Sequence, residues 1–372
     1  MRNDQGAARV SRGGDHAGGG SAVALALRLL AFGPFLILIL LVAAIGQLTP
    51  NFLRPVNIGN ILAQTAVIAI VAIGQQLVIL TRGIDLSVGA SLALATVIGG
   101  LVFRLADSSP LVMLAIVATA TLVGAINGVV YVYGRLPHPF IITLAMLSIC
   151  RGLALELAIG HTTMRGMPDW INAIGGSDTF GVPNSFFVVL TVALAALVMT
   201  KAMVWGRWIY AVGGNPEAAL EMGIPVRGVL ISTYVISGFC VGVGAIVLAG
   251  RTGASSPLYG NLLELDTIAA VIIGGASFLG GRGHIGHALI GAVMIGVIRN
   301  ALNLLGVDIF FQMIAIGLII VVAVEADVLR SRLEARARSI QAARTQRVPP
   351  RRRFSPCATP RSASARCRLS RT

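Results

Sequence analysis

Residues Pro110 to Gly134 read PLVMLAIVATATLVGAINGVVYVYG, 25 residues without one charged side chain. A helix of ~20 apolar residues crosses a hydrocarbon core ~30 Å thick, so this run alone is long enough to span a membrane. It is not alone. Uncharged stretches at 58–80, 86–103, 179–200 and 228–250 have the same character, and Leu29 to Gly46 adds 18 more residues. That last run exceeds the 7–15 residues of a signal-peptide core and reads as a retained span. Shorter runs at 136–150, 267–281, 283–298 and 309–324 are expected to borrow flanking residues or to be partly re-entrant. The expected fold is an all-α polytopic membrane protein of about ten transmembrane helices, some of them broken or re-entrant.

Composition agrees. Of 372 residues, 56% are hydrophobic and 12% charged, with a mean hydropathy of +0.84. Soluble domains carry about 25% charged residues, so the soluble-enzyme classes are excluded. The net charge of +14 divides unevenly. From Arg330 to Thr372 there are 13 arginines against Glu334, which is +12, and the other 329 residues contribute +2. The charge therefore marks topology rather than a nucleic-acid partner. Ten spans place both termini on one side, and the arginine-rich tail puts that side in the cytoplasm. The expected organisation is a disordered cytoplasmic tail at 1–21, a transmembrane domain at 22–329, and a basic, disordered cytoplasmic tail at 330–372. Loops placed inside carry Arg82, Arg135, Lys201, Arg207, Arg227 and Arg282; those placed outside carry Arg54, Arg104, Arg165, Arg251, Arg299, Glu264 and Asp266.

Covalent chemistry has little to work with. A phosphate-cradling P-loop needs Gly-Lys-Ser/Thr, and the one lysine, Lys201, follows Thr200. Gly281 to Gly286 matches GxGxxG but joins two apolar runs rather than a strand and a helix. Cys150 and Cys240 sit in apolar runs as inert thiols, and His284 with His287 suits a helix end better than a metal, which needs more ligands. No catalytic residue, metal or cofactor is expected.

Polar groups inside a membrane are costly and point to function. Gln75, Gln76, Asn127, Thr143, Ser148, Arg151, Asn300 and Asn303 are candidates to line a path for an uncharged, hydroxylated solute; the alternative is hydrogen bonding between helices. The turn Arg82-Gly-Ile-Asp85-Leu-Ser87-Val-Gly89 breaks two spans, with Asp85 or Ser87 placed to cap the next helix. Gly238 and Gly242 form a GxxxG pair, best explained by dense packing of many helices. Segments 66–83 and 266–283 share seven identities in 18 positions, which raises the possibility of a duplication.

The inward loop at 205–228 carries the most distinctive polar run, Gly213-Gly214-Asn215-Pro216-Glu217-Ala218-Ala219, ending near Gly223. Asn215 is placed as a cap, Pro216 at the first helical position and Glu217 against the helix dipole. Gly223 is expected to stop the helix after two turns. With nothing of its own to pack against, such a helix suggests a docking surface for a cytoplasmic partner.

These segments resemble the permease subunits of bacterial ABC importers for ribose, xylose, arabinose and related sugars. The resemblance lies in Leu80–Gly89, Pro139–Gly152, Tyr210–Ala219, Glu264–Gly275 and Asn300–Gly306, and covers about 29–327 in order. It implies an inner-membrane permease homodimer that works with a separate cytoplasmic ABC ATPase and a periplasmic sugar-binding protein, and that is no enzyme itself. It also implies that Gly213, Gly214, Asn215, Glu217, Ala218, Ala219 and Gly223 form a helix coupling transport to the ATPase. Arg82 departs from the family, which often has a second glycine there. A permease for branched-chain amino acids or nucleosides, or a stand-alone ion-coupled carrier, is the alternative.

Overall fold

The structure, a computed structural model, describes residues 18–325 and 328. The expected tails lie outside these residues, except that 18–21 open the first helix. The chain runs α1 (Gly18–Leu48), α2 (Pro55–Leu80), α3 (Val88–Leu105), α4 (Ser109–Tyr133) and α5 (Phe140–Leu157). A connecting region follows, with β1 (Met164–Arg165), α6 (Asp169–Gly176), β2 (Asp178–Thr179) and β3 (Val182–Pro183). Then come α7 (Asn184–Lys201), α8 (Val204–Gly214), α9 (Pro216–Glu221), α10 (Val226–Thr252), β4 (Ala254–Ser255), α11 (Leu263–Ile273) and α12 (Ile285–Leu304). A shorter apolar helix, α13 (Ile309–Glu325), closes the described chain.

Among the described residues, seven helices are long and apolar enough to cross a membrane: α2, α3, α4, α5, α7, α10 and α12. The count of ten is not reached by that measure. The run at 267–281, expected as a span or a partly re-entrant segment, holds the end of α11, whose 11 residues end at Ile273. At ~1.5 Å per residue it is ~16 Å long, about half of a hydrocarbon core. It stops because Gly275 takes φ 106, a conformation closed to side-chain-bearing residues. Residues 274–284 then form a loop. In the aligned segment 74–80, by contrast, α2 continues as helix, so the two similar segments do not share one local structure. The run at 179–200 becomes helical only from Asn184, because residues 178–183 form the β2–β3 hairpin.

The bundle is dressed for lipid. Leu114, Leu190, Leu194, Phe310 and Leu318 are exposed, whereas Gln75, Gln76, Thr96, Asn127, Thr143 and Ser237 are fully buried. In a bilayer the apolar side chain loses nothing by facing outward, and the polar one must find partners inside. Every residue of α2 from Thr65 to Leu80 is buried, and this central helix packs against α7, α10, α11 and α12. The GxxxG pair serves packing within the chain. A Cβ on Gly238 would stand 2.4 Å from the Ala120 oxygen, and one on Gly242 would stand 2.8 Å from the Val117 Cα. Both glycines therefore bring α10 onto α4. At one end of the bundle β1 pairs antiparallel with β4, Met164 opposite Ser255. At the other end lie α8, α9, the turn at 81–87 and the loop at 274–284.

Candidate functional site

Three segments converge on the end of α2. The Leu80 carbonyl accepts a hydrogen bond from the Gly281 amide at 2.9 Å. Gly213, near the end of α8, packs on the same carbonyl so closely that a Cβ would stand 1.8 Å from it. Tyr210 donates from its hydroxyl to the Gly283 carbonyl at 2.7 Å, and burial pushes that hydroxyl above its usual pKa. Arg82 donates from Nε to the Gly213 carbonyl at 2.7 Å and from Nη2 to the Gly214 carbonyl.

On this platform sits α9. Asn215 Oδ1 accepts from the amides of Glu217 at 3.1 Å and Ala218 at 3.2 Å, with Pro216 in the first turn, as expected of that run. The helix is six residues long rather than two turns, with Met222 as its C-cap and Gly223 at φ 78 just beyond. The expectation that it packs on nothing of its own is corrected. Ala219 is 4% exposed and belongs to the main core, and α8 and α10 both support the helix. Glu217, Ala218, Leu220, Glu221 and Met222 remain exposed. The two adjacent glycines part company: Gly213 is buried and crowded, while Gly214 is exposed and meets nothing within 4 Å.

The second cluster surrounds the start of α3. Neither Asp85 nor Ser87 caps that helix, which corrects the expectation. Ser87 already has helical φ and ψ, and Asp85 Oδ1 instead accepts from the amide of Ser87 at 2.9 Å and its hydroxyl at 2.6 Å. Asn127 of α4 donates to the Ser87 hydroxyl at 2.9 Å, and Thr143 of α5 donates to the Ile84 carbonyl at 3.3 Å. Burial pushes the Asp85 carboxyl above the usual range, and the bonds from Ser87 pull the other way. Asn127 Oδ1, the Tyr234 hydroxyl and both side-chain amides of Gln75 and Gln76 are buried without a protein hydrogen-bond partner. Such groups are ordinarily satisfied by water or ligand.

Farther along the bundle, Arg151 donates to the carbonyls of Pro257 and Tyr259, holding the lead-in to α11. Glu264, in the first turn of α11, lies against α3, where a Cβ on Gly89 would stand 2.4 Å from its Oε2 and 2.1 Å from the Gly260 oxygen. Ser148 is exposed on α5. Asn300 and Asn57 exchange two amide hydrogen bonds of 2.9 Å between α12 and α2, and Asn303 accepts from Gln312 at 2.9 Å. The structure thus gathers Asp85, Ser87, Asn127 and Thr143 and sets Asn300 and Asn303 apart, as links between helices.

Asp266 and Arg299, expected in outer loops, are corrected too. They form an ion pair of 2.6 Å between α11 and α12, with Asp266 buried. Apolar patterning held no sign of this pair, because the partners are 33 positions apart and belong to separate helices. Tyr234 and Asn57 were likewise missed, and only their polar character inside apolar runs could have flagged them.

Apolar helices turned outward, buried polar groups and an exposed, anchored helix at one end define a multi-pass membrane protein. The chain belongs to the family described as branched-chain amino acid transport system / permease component, which matches residues 57–324. It is similar to the ribose import permease protein of Haemophilus influenzae, 38% identical over 79% of this chain and 91% of that one. It is also similar to the D-allose transport system permease protein of Escherichia coli strain K12, 39% identical over 81% of this chain and 92% of that one. The fructose import permease protein of Rhizobium meliloti is 38% identical over 79% of this chain and 84% of the relative. No solved structure matches the chain. The protein is a permease subunit of the inner membrane and not an enzyme.

Proposed function

We propose that this chain is the membrane-spanning subunit of an ABC importer for a monosaccharide. The sugar class is carried by the relatives, whose names specify ribose, allose and fructose; the amino-acid wording belongs to the broader family. Its partners are a cytoplasmic ATPase, a periplasmic sugar-binding protein and a second copy of itself. The shorter apolar helices of α1 and α13, together with the half-length α11, complete ten membrane segments, and both termini are cytoplasmic.

The observation that carries the coupling role is α9. It is anchored by buried Ala219 and the Asn215 cap, and it presents Glu217, Leu220, Glu221 and Met222 outward. Two exposed apolar side chains beside two carboxylates suit an apolar cleft with a basic rim. Docked there, the ATPase moves α9, and the permease alternates access to a path along the buried polar groups. Gln75, Gln76, Asp85, Ser87, Asn127, Thr143 and Arg151 belong to or position that path.

Glu217→Lys tests the docking role, since it reverses a charge on an exposed face without touching the anchor. The expected result is normal membrane insertion with lost ATPase association and at least tenfold lower uptake of labelled ribose, allose or fructose, the cost of truncating a close interfacial charge pair being ~2 kcal/mol or more. Unchanged association and uptake would refute it.

A further inference from the structure

We infer that Arg82 is a positioning residue through which movement of α9 reaches the turn at 83–89. This deepens the coupling role proposed above, on which it rests, by naming the link from the docking helix into the bundle.

The backbone at Arg82 has φ 65, a left-handed conformation disfavoured for a side-chain-bearing residue and open to glycine. An arginine here is held by what its side chain reaches. It reaches the carbonyls of Gly213 and Gly214, the final residues of α8. The last carbonyls of a helix lack partners within it, and a cation beside them is favoured by the helix dipole. The next residue, Asn215, is the cap of α9. One side chain therefore grips the peptide groups immediately before the docking helix.

The other side of Arg82 leads directly to the buried cluster. Gly83 is buried against Tyr234, whose hydroxyl would stand 2.6 Å from a Cβ there, Asp85 closes the turn on Ser87, and α3 starts at Val88. One further hydrogen bond secures α8. Tyr210 bonds to Gly283, in the loop whose Gly281 bonds to Leu80, so α8 is held to the 277–283 loop and through it to the end of α2. Among the described residues, the side-chain hydrogen bonds from the 81–87 turn to α8 come from Arg82. Displacement of α9 thus pulls on the turn at the point where it leaves α2. From there the pull acts on the segment that holds Asp85 and begins α3.

Arg82→Gly is the informative variant. It removes the guanidinium and relaxes φ while freeing the carbonyls of Gly213 and Gly214, and membrane insertion with unchanged assembly checks that folding is preserved. The measurement is hydrogen exchange of the assembled importer (this chain with its ATPase and binding protein) in lipid nanodiscs, with and without ATP plus vanadate. In the wild type, nucleotide changes exchange both at 213–223 and at 83–89. In Arg82→Gly and Arg82→Ala the response at 213–223 persists, while that at 83–89 falls about tenfold, the effect of losing a charge-assisted hydrogen bond. Arg82→Lys, with a single donor group, is intermediate. Solute moved per ATP hydrolysed falls in parallel while hydrolysis continues, which a purely structural cap would not produce. A full response at 83–89 in Arg82→Gly, or a wild type that responds at 213–223 only, overturns the inference. A wild type silent at 213–223 overturns the docking role of α9 and this inference with it.

Discussion

Alanine at Gly213 and at Gly214 should have opposite effects, although the two glycines are adjacent and belong to the same helix end. At Gly213 the added Cβ would lie 1.8 Å from the Leu80 oxygen and 2.7 Å from the Gly281 nitrogen. Ordinary carbon–oxygen contacts are ~3.3 Å or longer, so α8 must retreat by about 1.5 Å from the end of α2. Both obstructing atoms are backbone, and they are hydrogen-bonded to each other. Overpacking of this kind costs ~1–3 kcal/mol, loss of the Gly281–Leu80 bond a further ~0.5–1.5, and alanine recovers ~1 through helix propensity. The net is a destabilisation of about 0.5–3.5 kcal/mol, concentrated where Arg82 and α9 are held. Gly214→Ala meets nothing within 4 Å and is neutral or slightly stabilising. Thermal inactivation rates of the two variants in nanodiscs, with uptake measured beside them, provide the assay. Faster inactivation and reduced uptake are expected for Gly213→Ala alone. Equal behaviour of the pair would refute the close approach of α8 to α2.

Other variants probe the bundle. Gly296→Ala places a Cβ 1.9 Å from the Thr65 hydroxyl and should destabilise by ~1–3 kcal/mol. Adding Thr65→Ala should recover part of that loss in the same inactivation assay, and no recovery would mean that α12 and α2 do not meet there. Asp266→Asn should cost about 1–3 kcal/mol, less than the ~3–5 of a fully buried pair because a third of Arg299 is exposed. With Arg299→Gln added, the combined loss should be smaller than the sum of the single losses; strict additivity would argue against the ion pair.

Much of the site was written locally. The Asn215 cap, Pro216 and Gly223 each act through a backbone neighbour two or three positions away, so α9 could be drawn from residue order. What depends on other helices could not be. Ala219 reads as one more alanine until the core closes on it, and Gly213 differs from Gly214 because of Leu80, 133 positions earlier. The helix within the run at 267–281 is shorter than that run for a related reason. Its apolar run is continuous, but Gly274 and Gly275 end the helix at a place where hydropathy gives no warning. Asp85 was recognised as part of a turn, yet its partner is the Ser87 amide rather than those of α3, a choice made by backbone angles. Asn300 and Asn303 looked like path residues because polarity within a span is visible in sequence, while the partner that satisfies it is not.

The closest approaches in this protein involve no side chain on one face. A Cβ at Gly89, Gly213, Gly250, Gly274 or Gly291 would come within about 2.1 Å of a carbonyl oxygen of another segment. Each of these positions favours glycine, whatever the solute. Neutral drift is narrowed at them, and a saturation library should show these buried positions among the least tolerant, in contrast to a permissive, lipid-facing surface. Adaptation to a new sugar would then have to arise in the partner that captures it, or among the side chains between these fixed points, while the frame itself stays unaltered.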